Sequence, residues 1–109
     1  MIPHGPRPGE KKILQEDCAE DKLRNGILTL TNQRIIFERT QARIVTLSKK
    51  TEEVLLDIPL DKIYSVKAEG FIIKKVVITV DDKTYKFGVF NSGKWTKAIK
   101  EQISMKKSS

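Results

Sequence analysis

The sequence predicts a mainly β domain, in which about seven short strands form a bent antiparallel sheet or partly open barrel that one C-terminal amphipathic helix caps. Two observations support this fold class. From about residue 12 to residue 90, apolar and polar side chains alternate in short runs, which is the period of a strand with one buried face. After residue 91 the apolar spacing becomes helical, so a single helix must cover an open face or end of the sheet.

The first strands are predicted from short runs rich in β-branched and aromatic residues. The first run alternates imperfectly. The second and third runs are separated only by Asn32-Gln33, and Asn tolerates the positive φ of tight hairpin turns, so these two runs form the clearest hairpin in the sequence. The three predicted strands are residues 12–19, 26–31 and 34–38.

Residues 40–52 carry no decisive pattern, because Ile44, Val45 and Leu47 fit either a short helix or an extra strand. The sequence leaves this segment open.

Four further apolar rows predict the remaining strands. Pro59 lacks an amide donor, so the strand that contains it ends at a turn or lies at a sheet edge. Asp81-Asp82-Lys83 predicts a tight turn between the last two strands, since Asp side chains bond nearby backbone amides. The rows are Val54, Leu56, Ile58 and Leu60; Tyr64, Val66 and Ala68; Val76, Ile78 and Val80; and Tyr85, Phe87 and Val89.

The C-terminal helix is predicted to start at Asn91 or Ser92, either of which can cap the free amides of a first turn. An apolar arc of about 160° follows at 100° per residue, opposite a polar face. Its members are Trp95, Ala98, Ile99, Gln102, Ile103 and Met105.

Two segments resemble a known family. The run from Gly26 to Phe37, Gly-Ile-Leu-Thr-Leu-Thr-Asn-Gln-Arg-Ile-Ile-Phe, is similar to the hairpin of GRAM domains and of related bacterial and archaeal pleckstrin-homology-like domains. The run from Leu56 to Val66, with its Ile-Pro-Leu core, resembles a second segment of that family. The resemblance implies a seven-stranded, strongly bent sheet closed by the helix, in a non-enzymatic binder of lipid headgroups or proteins.

Length and composition predict a single domain over residues 10–105. Three of the four prolines and two of the six glycines lie in residues 1–9, which favours a flexible Pro/Gly-rich tail. Residues 106–109 are expected to form a disordered basic end. The 109 residues are too few for a two-domain enzyme.

The net charge of +7 favours anionic partners, and most of the excess lies in residues 61–109. Cys18 is the single cysteine, so no intramolecular disulfide forms and a reducing compartment is the simplest setting. The N-terminus lacks the apolar stretch of a secretion signal, and no apolar run approaches the ~20 residues that span a bilayer. We therefore expect a cytoplasmic protein, peripheral at the inner membrane surface if it binds lipid.

Catalysis is not expected, because the residues that carry it are missing. His4, the one histidine, lies in the tail, and Cys18 has no second cysteine or nearby histidine to complete a ligand set. No glycine-rich phosphate loop is present. No enzyme activity, cofactor, metal or small-molecule substrate is therefore predicted.

One candidate binding loop contains Lys22 and Arg24, which together with Lys12 resemble in their spacing the basic residues around the first hairpin loop of phosphoinositide-binding pleckstrin-homology domains. Residues 16–25 also carry four acidic side chains, for a local net charge of −2, which would repel a phosphate. We therefore rank this loop second among the candidate anion-binding segments.

The cleaner electropositive candidate is the segment 39–50, which has no acidic residue. It fits either a binding surface or a solvated loop that blunts an edge strand. Its basic residues are Arg39, Arg43, Lys49 and Lys50.

Phe71-Ile72-Ile73 followed by Lys74 and Lys75 has the composition of a segment that dips into an anionic membrane interface. A strand that buries part of the apolar triplet in the core explains the same residues, and we expect that use.

Two further residues are expected to be structural. Trp95 begins the helical apolar stripe and is predicted to lie in the core rather than to stack on a ligand. Arg34, beside the hairpin, is predicted to make a structural hydrogen bond.

The expected function is a binding or adaptor module for an anionic membrane surface, a lipid headgroup or an acidic protein. Two alternatives stay open: a nucleic-acid-associated basic domain, and a module for protein–protein interaction alone. Nucleic acid is the less favoured partner, because most of the six aromatic residues belong to core patterns and few remain for base stacking.

Overall fold

A computed structural model describes residues 8–39, 53–70, 72–81 and 83–108. Seven strands precede one long helix, as the sequence predicts. Residues 40–52, whose structure the sequence leaves open, lie outside the described residues. The elements are β1 Lys12–Glu20, β2 Arg24–Thr31, β3 Arg34–Arg39, β4 Glu53–Pro59, a short 3-10 helix Leu60–Lys62, β5 Ile63–Glu69, β6 Lys75–Val80, β7 Lys83–Gly88 and α1 Ser92–Ser108.

The seven strands form one antiparallel sheet in the order β4-β3-β2-β1-β7-β6-β5. β1 joins the two halves, but it pairs with β7 only at Ala19 and Glu20. Among the described strands β4 lies at one edge, and it ends at Pro59, in agreement with the prediction from that proline.

The sheet curls over its own core. Phe37 on β3 and Phe87 on β7 are three strands apart, which in a flat sheet would separate them by about 14 Å. Their ring centroids lie 5.2 Å apart. The bent sheet of the predicted fold class is thereby confirmed.

Helix α1 closes this curled sheet. Trp95 and Ile99 are buried in the same core as Phe37 and Phe87, which confirms the prediction for Trp95. Asn91 caps the helix, since its Oδ1 accepts a 3.0 Å hydrogen bond from the Lys94 amide.

The C-terminal end of the helix differs from the expectation in two respects. Met105 was expected on the buried arc, but it stands at the edge of that arc and 63% of its surface is exposed. The helix also continues to Ser108, whereas the sequence predicts disorder from residue 106.

Gly26 lets β2 and β3 approach closely. A Cβ at this position would lie 2.5 Å from the carbonyl oxygen of Glu38 and 2.8 Å from Cζ of Phe37. Phe37 therefore fills the space that a side chain on β2 would need.

The β2–β3 turn uses different chemistry from the one predicted. Asn32 does not adopt a positive φ, and within the described residues only Arg24 and Asp81 do so among non-glycines. Instead, Thr31 Oγ1 accepts hydrogen bonds from the amides of Gln33 and Arg34, both at 3.0 Å. The hydroxyl thus closes the turn without a left-handed residue.

Arg34 makes the structural hydrogen bonds that the sequence predicts, and its side chain is buried when it makes them. Its guanidinium meets both oxygens of Glu10, at 2.8 Å from Nε and 3.0 Å from NH2, and Asp57 at 2.8 Å from NH1. The side chains of Arg34 and Glu10 are almost fully buried. The hydrogen bond with Glu10 raises the pKa of Arg34, burial opposes it, and Asp57 adds to the increase.

On β5 the predicted apolar row is wrong at two positions. The pairing register with β6 shifts between Ile63 and Ser65, which leaves Tyr64 as the extra residue of a bulge. Tyr64 is 81% exposed and Ala68 is exposed, so only Val66 of that row is buried.

Candidate functional site

Three large apolar side chains project into solvent where two connections meet. The pairing of Lys75 with Gly88 sets the β5–β6 loop beside the β7–α1 connection. Ile72 is 89%, Ile73 67% and Phe90 89% exposed. We call these three residues the apolar tip. They line a groove of about 640 Å³ together with Lys74, Gly88, Val89 and Asn91.

The expectation that the core takes up Ile72 and Ile73 is wrong; Phe71 lies outside the described residues. The cause is Gly70, whose φ of +105° is open to glycine and strained for other residues. A Cβ at Gly70 would lie 2.0 Å from the carbonyl oxygen of Ile73. The chain therefore turns back on itself after β5 and carries both isoleucines outside the sheet.

Phe90 projects from a backbone that is held in place. Its amide donates a 2.5 Å hydrogen bond to Oε2 of Glu16, and Oε1 of the same carboxylate accepts a 2.8 Å bond from Trp95 Nε1. Val89, one residue earlier, is buried. Sequence reasoning missed Phe90; the available signal was an aromatic residue between the last core position of β7 and the helix cap.

The turn between β1 and β2 has less exposed negative charge than its sequence suggests. Glu20 is buried and accepts hydrogen bonds from the amides of Lys22, Leu23 and Lys86 at 2.8, 2.9 and 3.0 Å. Asp21 pairs with Lys75 at 2.8 Å. Glu20 therefore faces the backbone rather than solvent, and the expectation that the carboxylates of this turn repel an anion stays a prediction.

The predicted basic residues occupy separate places on the surface. Lys22 and Arg24 are exposed at the β1–β2 turn, and Arg24 adopts a φ of 73°. Lys74 is exposed beside the apolar tip, whereas Lys75 is held by Asp21. Arg39 is exposed at the end of β3. The other members of that segment, Arg43, Lys49 and Lys50, lie outside the described residues.

Comparison with known proteins identifies the family. A family model for bacterial PH (pleckstrin-homology) domains matches residues 10–101. The chain belongs to this family. The pleckstrin-homology-like part of the sequence resemblance is thereby confirmed, while the narrower likeness to GRAM domains stays a prediction.

A solved structure shares the fold of this PH domain. The Vps36 N-terminal PH domain aligns with a TM-score of 0.68 over 94% of this chain and 86% of that chain, at 17% sequence identity. The comparison with curated proteins gives no match.

PH domains are generally non-catalytic binding modules. In this one, burial raises the pKa of the Cys18 thiol to about 12, and the charges of Glu16, Asp17 and Glu20 act in the same direction. The thiol is therefore protonated and a poor nucleophile at neutral pH. His4 lies outside the described residues.

The described part of the chain contains no group of three or more His, Cys, Asp or Glu side chains placed to hold a metal ion. None of its helices has the length and apolar character needed to cross a bilayer.

Proposed function

We propose that this PH domain is a non-enzymatic module that binds anionic membrane surfaces by inserting its apolar tip into the interface. The PH fold typically serves lipid or protein binding, which supports the general class. The observation that carries the membrane assignment is the joint exposure of Ile72, Ile73 and Phe90 on one groove.

The exposure of three neighbouring large apolar side chains is costly in water. Complete burial of one such side chain is worth roughly 1.5–3 kcal/mol, so even partial insertion of three supports measurable binding. Exposed patches of this kind typically mark an interaction site. Because Glu16 holds the Phe90 backbone and Gly70 sets the loop, the tip enters the interface without first becoming ordered.

The surrounding charge favours an anionic leaflet. Lys74 is exposed next to the tip, and the whole chain carries a net charge of +7. A basic side chain close to an anionic surface contributes about 1 kcal/mol. Lys22, Arg24 and Arg39 add to the long-range attraction in this proposal, as do Arg43, Lys49 and Lys50. The resulting binding is peripheral and reversible, as expected for shallow insertion supported by charge.

Vesicle co-sedimentation tests this function. We expect the protein to bind anionic phosphatidylserine vesicles at low salt, to bind them more weakly at high salt, and to bind neutral phosphatidylcholine vesicles weakly. The triple variant Ile72→Ser, Ile73→Ser, Phe90→Ser should lose at least about tenfold in vesicle affinity. Met105→Ser is the matched control, since it removes an exposed apolar side chain at the other end of helix α1.

A parallel titration with duplex and single-stranded nucleic acid separates the alternative function. Steeply salt-dependent binding of nucleic acid, without binding of anionic vesicles, would contradict the membrane proposal. Equal vesicle binding by the triple variant and the wild type would contradict the role of the apolar tip.

A further inference from the structure

A second groove lies between edge strand β5 and helix α1, away from the apolar tip. Its volume is about 630 Å³. None of the three tip residues contributes to it. Its lining comes from one strand and one helix: Ile63, Tyr64, Ser65, Val66, Lys100, Ile103 and Ser104.

On the strand side of this groove lies the outer edge of β5, the last strand of the sheet that the described residues form. Within the described residues β5 has a neighbour, β6, on one side only. Alternate amide and carbonyl groups of such a strand point away from the sheet and can pair with another extended chain. The bulge at Tyr64 interrupts the pairing at one point, and from Ser65 to Glu69 the register with β6 is regular.

The side chains around the groove combine apolar contacts with positive charge. The ring of Tyr64 and the half-buried Ile103 give apolar surface on the two walls. Lys100 lines the groove, and Lys67 on β5 is exposed. The carboxylate of Glu69, on the same strand, is paired with Lys86 at 3.1 Å.

We propose that this groove binds an acidic segment of another protein in an extended conformation. The segment pairs with β5, places alternate apolar side chains against Tyr64 and Ile103, and sets acidic side chains near Lys67 and Lys100. Binding of this kind takes affinity from main-chain hydrogen bonds and selectivity from the side-chain positions. It uses a different surface from the proposed membrane contact, so the two can be occupied together.

The positive charge around the groove favours a segment of another protein as its occupant over a segment of this chain or a second copy of it. Of its own segments outside the described residues, 1–7 carries Arg7 and no acidic residue, and 40–52 carries three basic residues and one acidic one. A second copy brings another net charge of +7. An acidic foreign segment is the occupant that complements Lys67 and Lys100.

The probe is a mixture of synthetic peptides of seven residues, the length of β5. Each peptide has glutamate at alternate positions and valine, leucine, isoleucine or phenylalanine at the positions between them. Titration into the full chain is followed by backbone amide NMR and fluorescence anisotropy. We expect shifts at residues 63–69 and 100–104, and a lower affinity at high salt. Peptides with lysine in place of glutamate, or with N-methylated backbone amides, should bind at least about tenfold more weakly.

Two variants locate the peptide. Ser104→Trp fills the groove and should abolish binding, while Lys100→Glu should lower the affinity about tenfold. Lys94→Glu is the matched control, because Lys94 is exposed on the same helix and does not line the groove. Both groove variants should keep vesicle binding, so failure here is distinguishable from failure of the membrane proposal.

Three results would overturn the inference. The first is the absence of binding at millimolar peptide. The second is a set of shifts centred on Ile72, Ile73 and Phe90 instead of β5. The third is a concentration-dependent dimer that Ser104→Trp disrupts, which would make a second copy the occupant.

Discussion

Trp95 Nε1 donates a 2.8 Å hydrogen bond to Oε1 of Glu16, which ties the residue that plugs the curled sheet to the strand that joins its two halves. The other oxygen of the same carboxylate accepts the Phe90 amide. One side chain thus fixes the helix plug and the base of the apolar tip together.

Replacing Glu16 should therefore destabilise the fold and loosen the tip. Glu16→Ala leaves Trp95 Nε1 without its acceptor, and an unsatisfied buried donor costs roughly 1–3 kcal/mol. Urea denaturation measures this loss. Asp17→Ala, which removes an exposed carboxylate next to it, should change stability by less than about 0.5 kcal/mol. Equal stabilities for the two variants would show that the hydrogen bond between Trp95 and Glu16 does not contribute to the free energy of unfolding.

The Trp95 ring contributes more than its hydrogen bond. Trp95→Ala should lower the free energy of unfolding by roughly 3–5 kcal/mol, the range for aromatic truncation in a core. Trp95→Phe keeps most of the packing and should cost less. An unchanged melting curve for Trp95→Ala would mean that the helix does not plug the sheet, and would return Trp95 to consideration as a binding residue.

Periodicity predicts the core of this domain because one side of each element must be apolar. Phe87 on β7 and Val89 just after it are buried as that rule predicts, whereas on β6 the intervening Val77 is buried together with Val76 and Ile78. Tyr64 breaks it because a bulge shifts the register by one residue, and a shift of one moves a side chain to the opposite face.

The candidate site was harder to predict, because its position depends on tertiary contacts. Ile72 and Ile73 lie in an apolar run that suits a strand, and only the turn at Gly70 carries them outside. Charge counting likewise treats every carboxylate as solvated. The Glu20 carboxylate instead accepts hydrogen bonds from three backbone amides, and a count of charged residues does not reveal these contacts.

The buried pair of Arg34 and Glu10 gives a third prediction. Arg34→Met leaves the Glu10 carboxylate buried without its main partner, and breaking such a pair typically costs about 3–5 kcal/mol. The double variant Arg34→Met, Glu10→Gln removes both charges and should be more stable than the sum of the single losses implies. Denaturation of the three variants measures the coupling, and strict additivity would argue against a coupled pair.

The raised pKa of the Cys18 thiol predicts that the folded protein loses stability at alkaline pH. Its thiol pKa is raised from 9.0 to about 12 in the folded chain. Between these values the unfolded chain releases the proton and the folded chain retains it, so stability falls as pH rises through this window. Cys18→Ala should lack this part of the pH dependence in urea titrations between pH 9 and 12.

Thiol reactivity checks the same shift without unfolding. Because its pKa is raised, the Cys18 thiol of the folded chain holds much less thiolate at pH 8 than that of the unfolded chain. Alkylation by iodoacetamide should be correspondingly slow until denaturant is added. Equal alkylation rates in the two states would contradict the raised pKa.

The last prediction ranks the two basic surfaces in vesicle binding. Reversing Arg39, Arg43, Lys49 and Lys50 to Glu should weaken anionic-vesicle binding more than reversing Lys22 and Arg24, since each basic side chain near the leaflet contributes about 1 kcal/mol. The matched control for the smaller change is Lys62→Glu with Lys83→Glu, two exposed positions outside both segments. The four carboxylates of residues 16–25 oppose Lys22 and Arg24, whereas residues 39–50 contain no acidic residue. Loss of binding on reversal of Lys22 and Arg24 alone, with binding retained in the four-residue variant, would move the primary anion contact to that turn. The apolar tip would then serve to deepen an association that the β1–β2 turn begins.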